Sequence, residues 1–297
     1  MGLNLQERLI DRNSPDRRPR RAAYALPTLF TAGNIFLGFL AVMKAFQGAL
    51  AARAGNLGSS PDFEIAAKAI GAAALLDGLD GRIARLTGTT SEFGREMDSL
   101  ADVVSFGVAP AVLALAWGAQ FVDGSLQPLL QEYLRRCAYF VGFLFLLCGA
   151  VRLARFNIQK NPTPKNPGRP DRKYFVGLPT PAAAALVASV VYASDCVPIE
   201  FWPLSVAWLA LLSLLAFLMV STWRYRSLKD IQLLRPLSPL TVILWGAIFY
   251  LTWNFSQPVL LGMACFYVGS GIVVRLGGAL RRRLRHARHP EPQRQPG

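Results

Sequence analysis

Apolar runs close to twenty residues long recur from one end of this sequence to the other, and that recurrence limits the fold more than any other feature. A hydrocarbon layer about 30 Å thick offers no water to backbone N–H and C=O groups, so only a structure that satisfies them internally can cross it. A helix of about 20 apolar residues meets that condition. Soluble domains are also about half apolar, so a hydrophobic content of 53% decides nothing by itself. The distribution decides, because the runs leave no room for a separate soluble domain. The expectation is an all-α, polytopic membrane helix bundle forming one membrane domain.

The pattern predicts eight spans, at approximately 28–50, 64–86, 98–119, 137–156, 179–194, 203–222, 239–254 and 258–276. The fifth and seventh are short, and the last two, separated by the Asn254-to-Gln257 turn, read as a hairpin. The basic residues test this map. With residue 1 on the cytoplasmic side, the inside segments hold twenty-two Lys and Arg and the outside loops only Arg53, Arg135 and Arg136. Such a bias is the positive-inside pattern. An odd number of spans would scramble it, so both termini are expected in the cytoplasm. The first run follows a basic arm containing Arg17, Arg18, Arg20 and Arg21, and no small-residue cleavage pattern follows it. A retained first span is expected rather than a cleaved signal peptide. The basic tail from Arg281 to Arg294 reads as a solvated segment near anionic headgroups.

The formal net charge of +14 raises the question of nucleic acid. The basic residues lie between apolar runs and on no nucleic-acid module, so membrane topology accounts for them and no nucleic-acid partner is expected. Cys137, Cys148, Cys196 and Cys265 contain no CxxC pair, so neither a disulfide framework nor a zinc site is indicated.

Chemistry concentrates in Asp77-Gly78-Leu79-Asp80-Gly81-Arg82-Ile83-Ala84-Arg85, followed by Gly94, Asp98 and Asp102. Asp77 and Asp80 are three apart and share a helix face; Asp98 and Asp102, four apart, share a face of the next helix. A short turn joins the two helices, so four carboxylates are expected to converge at the cytoplasmic end of a helical hairpin. Each Asp at the centre of a span costs roughly 2.5–3.5 kcal/mol on insertion scales. Clustered anions also repel unless cations intervene. An all-carboxylate site suits two Mg²⁺ or Mn²⁺ ions, which favours phosphoryl transfer. Gly78, Gly81, Ala84 and Gly94 remove side chains where a ligand or helix must approach. Arg85, about two turns beyond Asp77, is placed to meet a phosphate or the membrane surface.

The spacing D-x2-D-G-x2-A-R-x8-G-x3-D-x3-D, from Asp77 to Asp102, resembles the signature of the CDP-alcohol phosphatidyltransferases at every specified position. The resemblance implies a six-helix core, often dimeric, that cleaves a CDP-linked substrate and releases CMP. It implies that Asp77, Asp80 and Asp98 bind metal, and that Asp102 completes the metal site and is the general base. Gly78, Gly81, Ala84 and Arg85, with Asp77, would lie against the nucleotide.

Four further blocks are similar to the membrane-embedded phosphatidylserine synthases of that family. They are Leu26-Pro27-Thr28 through Thr31-Ala32-Gly33-Asn34, Ser99-Leu100-Ala101-Asp102 into Ser105-Phe106-Gly107-Val108-Ala109-Pro110, Arg152-Leu153-Ala154-Arg155-Phe156-Asn157, and Gly177-Leu178-Pro179-Thr180-Pro181. The substrates so implied are CDP-diacylglycerol and L-serine. Serine carries a carboxylate, and an arginine holds a carboxylate through two parallel hydrogen bonds. Arg152, Arg155, Asn34 and Ser105 are therefore the acceptor-pocket candidates. The organisation expected is a basic arm over 1–26, the phosphatidyltransferase-like core over 27–225, two additional spans over 226–277 and a basic tail over 278–297. The setting expected is a prokaryotic inner membrane, with the active site facing the cytoplasm and a homodimer as the assembly. Glycerol 3-phosphate, inositol phosphate and choline are the alternative acceptors; an ion or proton transporter is the alternative of another class.

Overall fold

The computed structural model describes residues 17–87, 92–122, 126–160, 174–226, 246 and 250–288. The described part is helical apart from one short two-stranded ribbon. In order come α1 (Arg17–Arg53), α2 (Pro61–Thr87), α3 (Glu92–Asp102), a π-helical segment (Val103–Val108), α4 (Ala109–Gly118), α5 (Pro128–Lys160), β1 (Tyr174–Val176), α6 (Thr180–Ala193), α7 (Trp202–Val220), β2 (Arg224–Arg226) and α8 (Ser256–Arg288). The seventh expected span, 239–254, lies mostly outside the described residues; its Leu251–Asn254 end is helical.

Among the described residues, five helical stretches are long and apolar enough to cross a membrane: Leu29–Arg53, Phe93–Gly118, Pro128–Ile158, Trp202–Val220 and Ser256–Val273. The chain is an integral membrane protein. Helix α2 covers the second expected span but carries acidic and basic residues at both ends. The apolar α6 has 14 residues, which at about 1.5 Å per residue is near 21 Å, short of a full crossing.

Large and small side chains are sorted by lipid and core. On α1 the exposed positions include Leu29, Phe36, Phe39, Met43, Phe46 and Leu50, one stripe at helical spacing. The interior of the bundle is rich in alanine: Ala41, Ala45, Ala66, Ala69, Ala73, Ala109, Ala114, Ala183 and Ala184 are all buried. Lipid tails are as apolar as leucine, so burying large residues between helices brings little gain there. Small residues let backbones approach and make dispersion and polar contacts instead. Helix α1 packs on α2 and α4, α2 on α6, α5 on α7, and α6 on α8.

The far end of the bundle from Asp102 is tied by polar contacts. Lys44 of α1 pairs with Asp62 of α2 at 2.8 Å. Ser205 and Trp208 of α7 donate to the carbonyls of Gly118 (2.7 Å) and Ala114 (3.0 Å), the second bond seated under a T-shaped Trp117–Trp208 contact. The start of α8 is fastened by Tyr192–Ser256 and by Gln257 donating to Asp195, both at 2.9 Å.

At the near end, β1 and β2 form an antiparallel ribbon with Phe175 opposite Tyr225. It joins the chain ahead of α6 to the chain after α7. Gly177, at φ 81°, makes the turn out of β1 in a conformation that suits glycine, and its N–H bonds the Trp223 carbonyl at 2.8 Å. Leu178 N–H then bonds the Leu218 carbonyl at 3.0 Å, which fixes the height at which α6 begins. Pro179 and Pro181 bracket Thr180 there, in the first turn where proline costs no hydrogen bond.

Candidate active site

Helix α2 carries Asp77 near its cytoplasmic-expected end, and α3 carries Asp98 and Asp102 one turn apart. One carboxylate oxygen from each of the three lies within 4.8 Å of the other two. At such separations, a like-charged pair near a protein surface costs about 3–4 kcal/mol at an effective dielectric near 20. Three half-buried anions so placed fit a divalent cation, for which carboxylate oxygens are the preferred ligands. Asp80 lies in α2, but its side chain is outside the described residues, as are those of Ala84 and Arg85; of Gly81 only its place in α2 is described. Gly78 is exposed, and a Cβ there would meet no described atom within 4 Å.

The helix bearing Asp98 and Asp102 runs straight into the π segment, Val103–Val108, with Ser105, Phe106 and Gly107 buried. A π turn carries one more residue than an α turn and recurs at functional sites. Here it lets Ser105 face α1: its hydroxyl donates to the Asn34 carbonyl at 2.8 Å. Gly38 makes room for that contact, since a Cβ there would come within 2.9 Å of the Ser105 Cα. Residues 33–38 of α1 are thereby held one turn from Asp102. On the other flank, Asn157 of α5 donates to the Ser99 hydroxyl at 2.8 Å, and Ser99 donates to the Arg95 carbonyl at 3.0 Å. Helix α5 is thus pinned to the helix that carries the two aspartates.

The residue matches now carry weight. The chain matches the family model of the CDP-alcohol phosphatidyltransferases over residues 24–223. It belongs to that family. Among curated relatives, it is 38% identical to a CDP-diacylglycerol–serine O-phosphatidyltransferase of Helicobacter pylori over 232 residues, which cover 78% of this chain and 84% of the relative. It is 44% identical over 116 residues to the Saccharomyces cerevisiae protein of the same description, covering 39% of this chain and 37% of that one. An archaetidylserine synthase of Methanothermobacter thermautotrophicus is 35% identical over 167 residues, 56% of this chain and 57% of its own length.

Within this phosphatidyltransferase, the four acceptor-pocket candidates occupy different settings. Asn34 is buried, and its Oδ1 has no hydrogen-bond partner among the described residues. Ser105 is fully buried and its proton is committed to the Asn34 carbonyl. Arg152 is half-buried on α5, its Nε without a hydrogen-bond partner among the described residues, and its guanidinium lies within electrostatic range of Asp102 and of Tyr267 on α8. Arg155 is exposed. The structure therefore brings Asn34, Ser105 and Arg152 to the level of Asp102 and turns Arg155 outward.

Three residues at this level had no role assigned from sequence. Ser99 and Asn157 sit in two of the quoted blocks, and their mutual hydrogen bond is the physical use of that pairing. Thr180, from the Gly177–Pro181 block, is buried, and its Oγ1 has no hydrogen-bond partner among the described residues. A hydroxyl between two prolines at a helix start was the available signal.

Proposed function

We propose that this chain transfers the phosphatidyl group of CDP-diacylglycerol to the hydroxyl of L-serine, giving phosphatidylserine and CMP. The observation that carries the reading is the convergence of Asp77, Asp98 and Asp102 at the end of a helical hairpin bearing the family spacing. The serine-specific descriptions of the relatives support the choice of acceptor.

Asp102 accepts the proton of the serine hydroxyl. The freed oxygen bonds the phosphorus that carries the diacylglycerol, the bond from that phosphorus to the bridging oxygen breaks, and CMP leaves with the electron pair. Two Mg²⁺ or Mn²⁺ ions, held by Asp77, Asp80, Asp98 and Asp102, would supply neutralisation of the pyrophosphate charge. The open face at Gly78 leaves room for the nucleotide, with Gly81, Ala84 and Arg85 following on the same helix. Arg152 holds the serine carboxylate; its Nε, buried without a hydrogen-bond partner among the described residues, calls for an anion. Asn34 offers its amide oxygen to the ammonium, Ser105 holds Asn34 at that height, and Arg155 draws the anionic substrates in from the membrane surface.

The enzyme works at the cytoplasmic face of a prokaryotic inner membrane, as a homodimer, with both termini inside; the positive-inside bias supports the orientation. Full-length protein in mixed micelles with CDP-diacylglycerol and Mn²⁺ should release CMP with serine, and not with glycerol 3-phosphate, inositol phosphate or choline. Asp102→Asn should reduce turnover by about a thousandfold or more while still binding Mn²⁺. CMP release that ignores serine would overturn the acceptor, and near-normal turnover in the Asn variant would overturn the base.

A further inference from the structure

Helix α8 lies beyond the residues matched by the family model, which end at 223. Its inward stripe is Leu261, Ala264, Tyr267, Val268 and Ile272, all packed on the core, and of these only Tyr267 carries a polar group. The height of that group follows from α6, on which α8 packs. The two helices run antiparallel and are fastened, at the end away from Asp102, by the Tyr192–Ser256 hydrogen bond. Tyr267 is eleven residues on from Ser256, about 16 Å along α8. Thr180 is twelve residues back from Tyr192, about 18 Å along α6. Tyr267 therefore stands level with the start of α6, where Thr180 and Asp102 border one small apolar cavity. The Arg152 guanidinium of α5 is within electrostatic range of both Tyr267 and Asp102.

A half-buried cation next to a carboxylate gains by closing into an ion pair. Arg152 nevertheless forms no ion pair with a described carboxylate, and its Nε is buried without a hydrogen-bond partner among the described residues. Closed onto Asp102, the guanidinium would have fewer donors left for an incoming carboxylate. Held off Asp102, its planar fork stays open. A phenol oxygen accepts hydrogen bonds, so one brought in on a third helix supplies the competing pull. We infer that Tyr267 is a positioning residue for the acceptor: from α8 it holds the Arg152 guanidinium apart from Asp102 and open to the acceptor's carboxylate. This deepens the serine-transfer reading above and rests on it for the role of Arg152. It also gives a helix outside the family core a part in the site.

The test uses full-length protein with CDP-diacylglycerol and Mn²⁺, and varies the two substrates separately. Tyr267→Phe keeps the ring and removes the hydroxyl. It should raise the serine KM about tenfold, with the KM for CDP-diacylglycerol unchanged and the unfolding temperature near that of the parent. Tyr267→Met fills similar space without a hydroxyl. It should give the same shift, and it decides the matter if the Phe variant does not fold. Arg152→Lys should also raise the serine KM, since lysine lacks the planar fork. Because Tyr267 acts through Arg152, adding Tyr267→Phe to Arg152→Lys should raise it by less than about twofold more. A serine KM within about twofold of the parent in both Tyr267 variants would overturn the inference. So would an effect that multiplies in full with that of Arg152→Lys, or equal losses for both substrates with a lowered unfolding temperature. A serine KM untouched by Arg152→Lys, or a parent that shows no serine-dependent CMP release, would instead overturn the reading on which the inference rests.

Discussion

The two ends of the helical bundle treat buried polar groups differently. At the Asp62 end, Lys44 has its carboxylate, Ser205 and Trp208 have carbonyls, and Tyr192 and Gln257 have their partners; the Trp117 Nε1 is the exception. At the Asp102 end, three carboxylates crowd within 4.8 Å, while Asn34, Arg152 and Thr180 each keep a buried polar atom with no described hydrogen-bond partner. Satisfied polar groups stiffen a membrane protein, whereas strained or unpaired ones mark where it binds something. The first end holds the helices together. The second holds the groups proposed to meet ligands, and leaving them crowded or unpaired costs stability.

The comparison breaks if substitutions at the two ends have the same signature. The largest effect is expected for Asp77→Asn or Asp98→Asn: turnover falls about a thousandfold or more, and the unfolding temperature measured without divalent cations rises or holds, because one repelling charge is gone. Chelation of divalent cations by EDTA should abolish CMP release in the parent, reversibly on adding Mn²⁺. At the other end, Gly118→Ala drives a methyl into the Trp208 ring; a loss of about 1–3 kcal/mol is expected, seen in thermal unfolding, with turnover per folded molecule preserved. Asp62→Ala strands the partly buried Lys44 ammonium and should cost about 1–2 kcal/mol, again without a kinetic effect. The smallest effect concerns Cys196, in the turn after α6. Burial pushes its thiol up to about 12, so at pH 8 only about one molecule in ten thousand carries the reactive thiolate. Maleimide should leave it unmodified in the folded protein and label it after denaturation, as shown by mass spectrometry of peptides.

Much of this was legible in the sequence because membrane physics leaves few options. Long apolar runs had to be helices, and the spacing of Asp77, Asp98 and Asp102 had to place three carboxylates at one end of a hairpin. Helix ends were read less well. Helix α5 begins at Pro128, ahead of the expected 137, because Glu132 pairs with Arg135 and Arg136 along its own surface and lets the helix run on beyond the apolar stretch. Helix α3 begins at Glu92, ahead of the expected 98, for the same reason that polar residues continue a helix into the headgroups. The ribbon and the π segment carry no periodic signal at all, since each is fixed by contacts with distant residues. Thr180 was visible as part of a block, but its burial depends on where the ribbon sets the start of α6.

The π segment has one more consequence. A π turn spends one residue more than an α turn over about the same rotation, so the additional residue between Asp102 and Ala109 is absorbed locally, where it aims Ser105 at the Asn34 carbonyl. Removing one residue from Val103–Val108 would restore a plain α-helix, keep the aspartate motif and leave α4 close to its present phase. What would be lost is the aim of Ser105, so such a deletion should loosen the contact between α1 and this helix while the two halves of the helix keep their relative orientation.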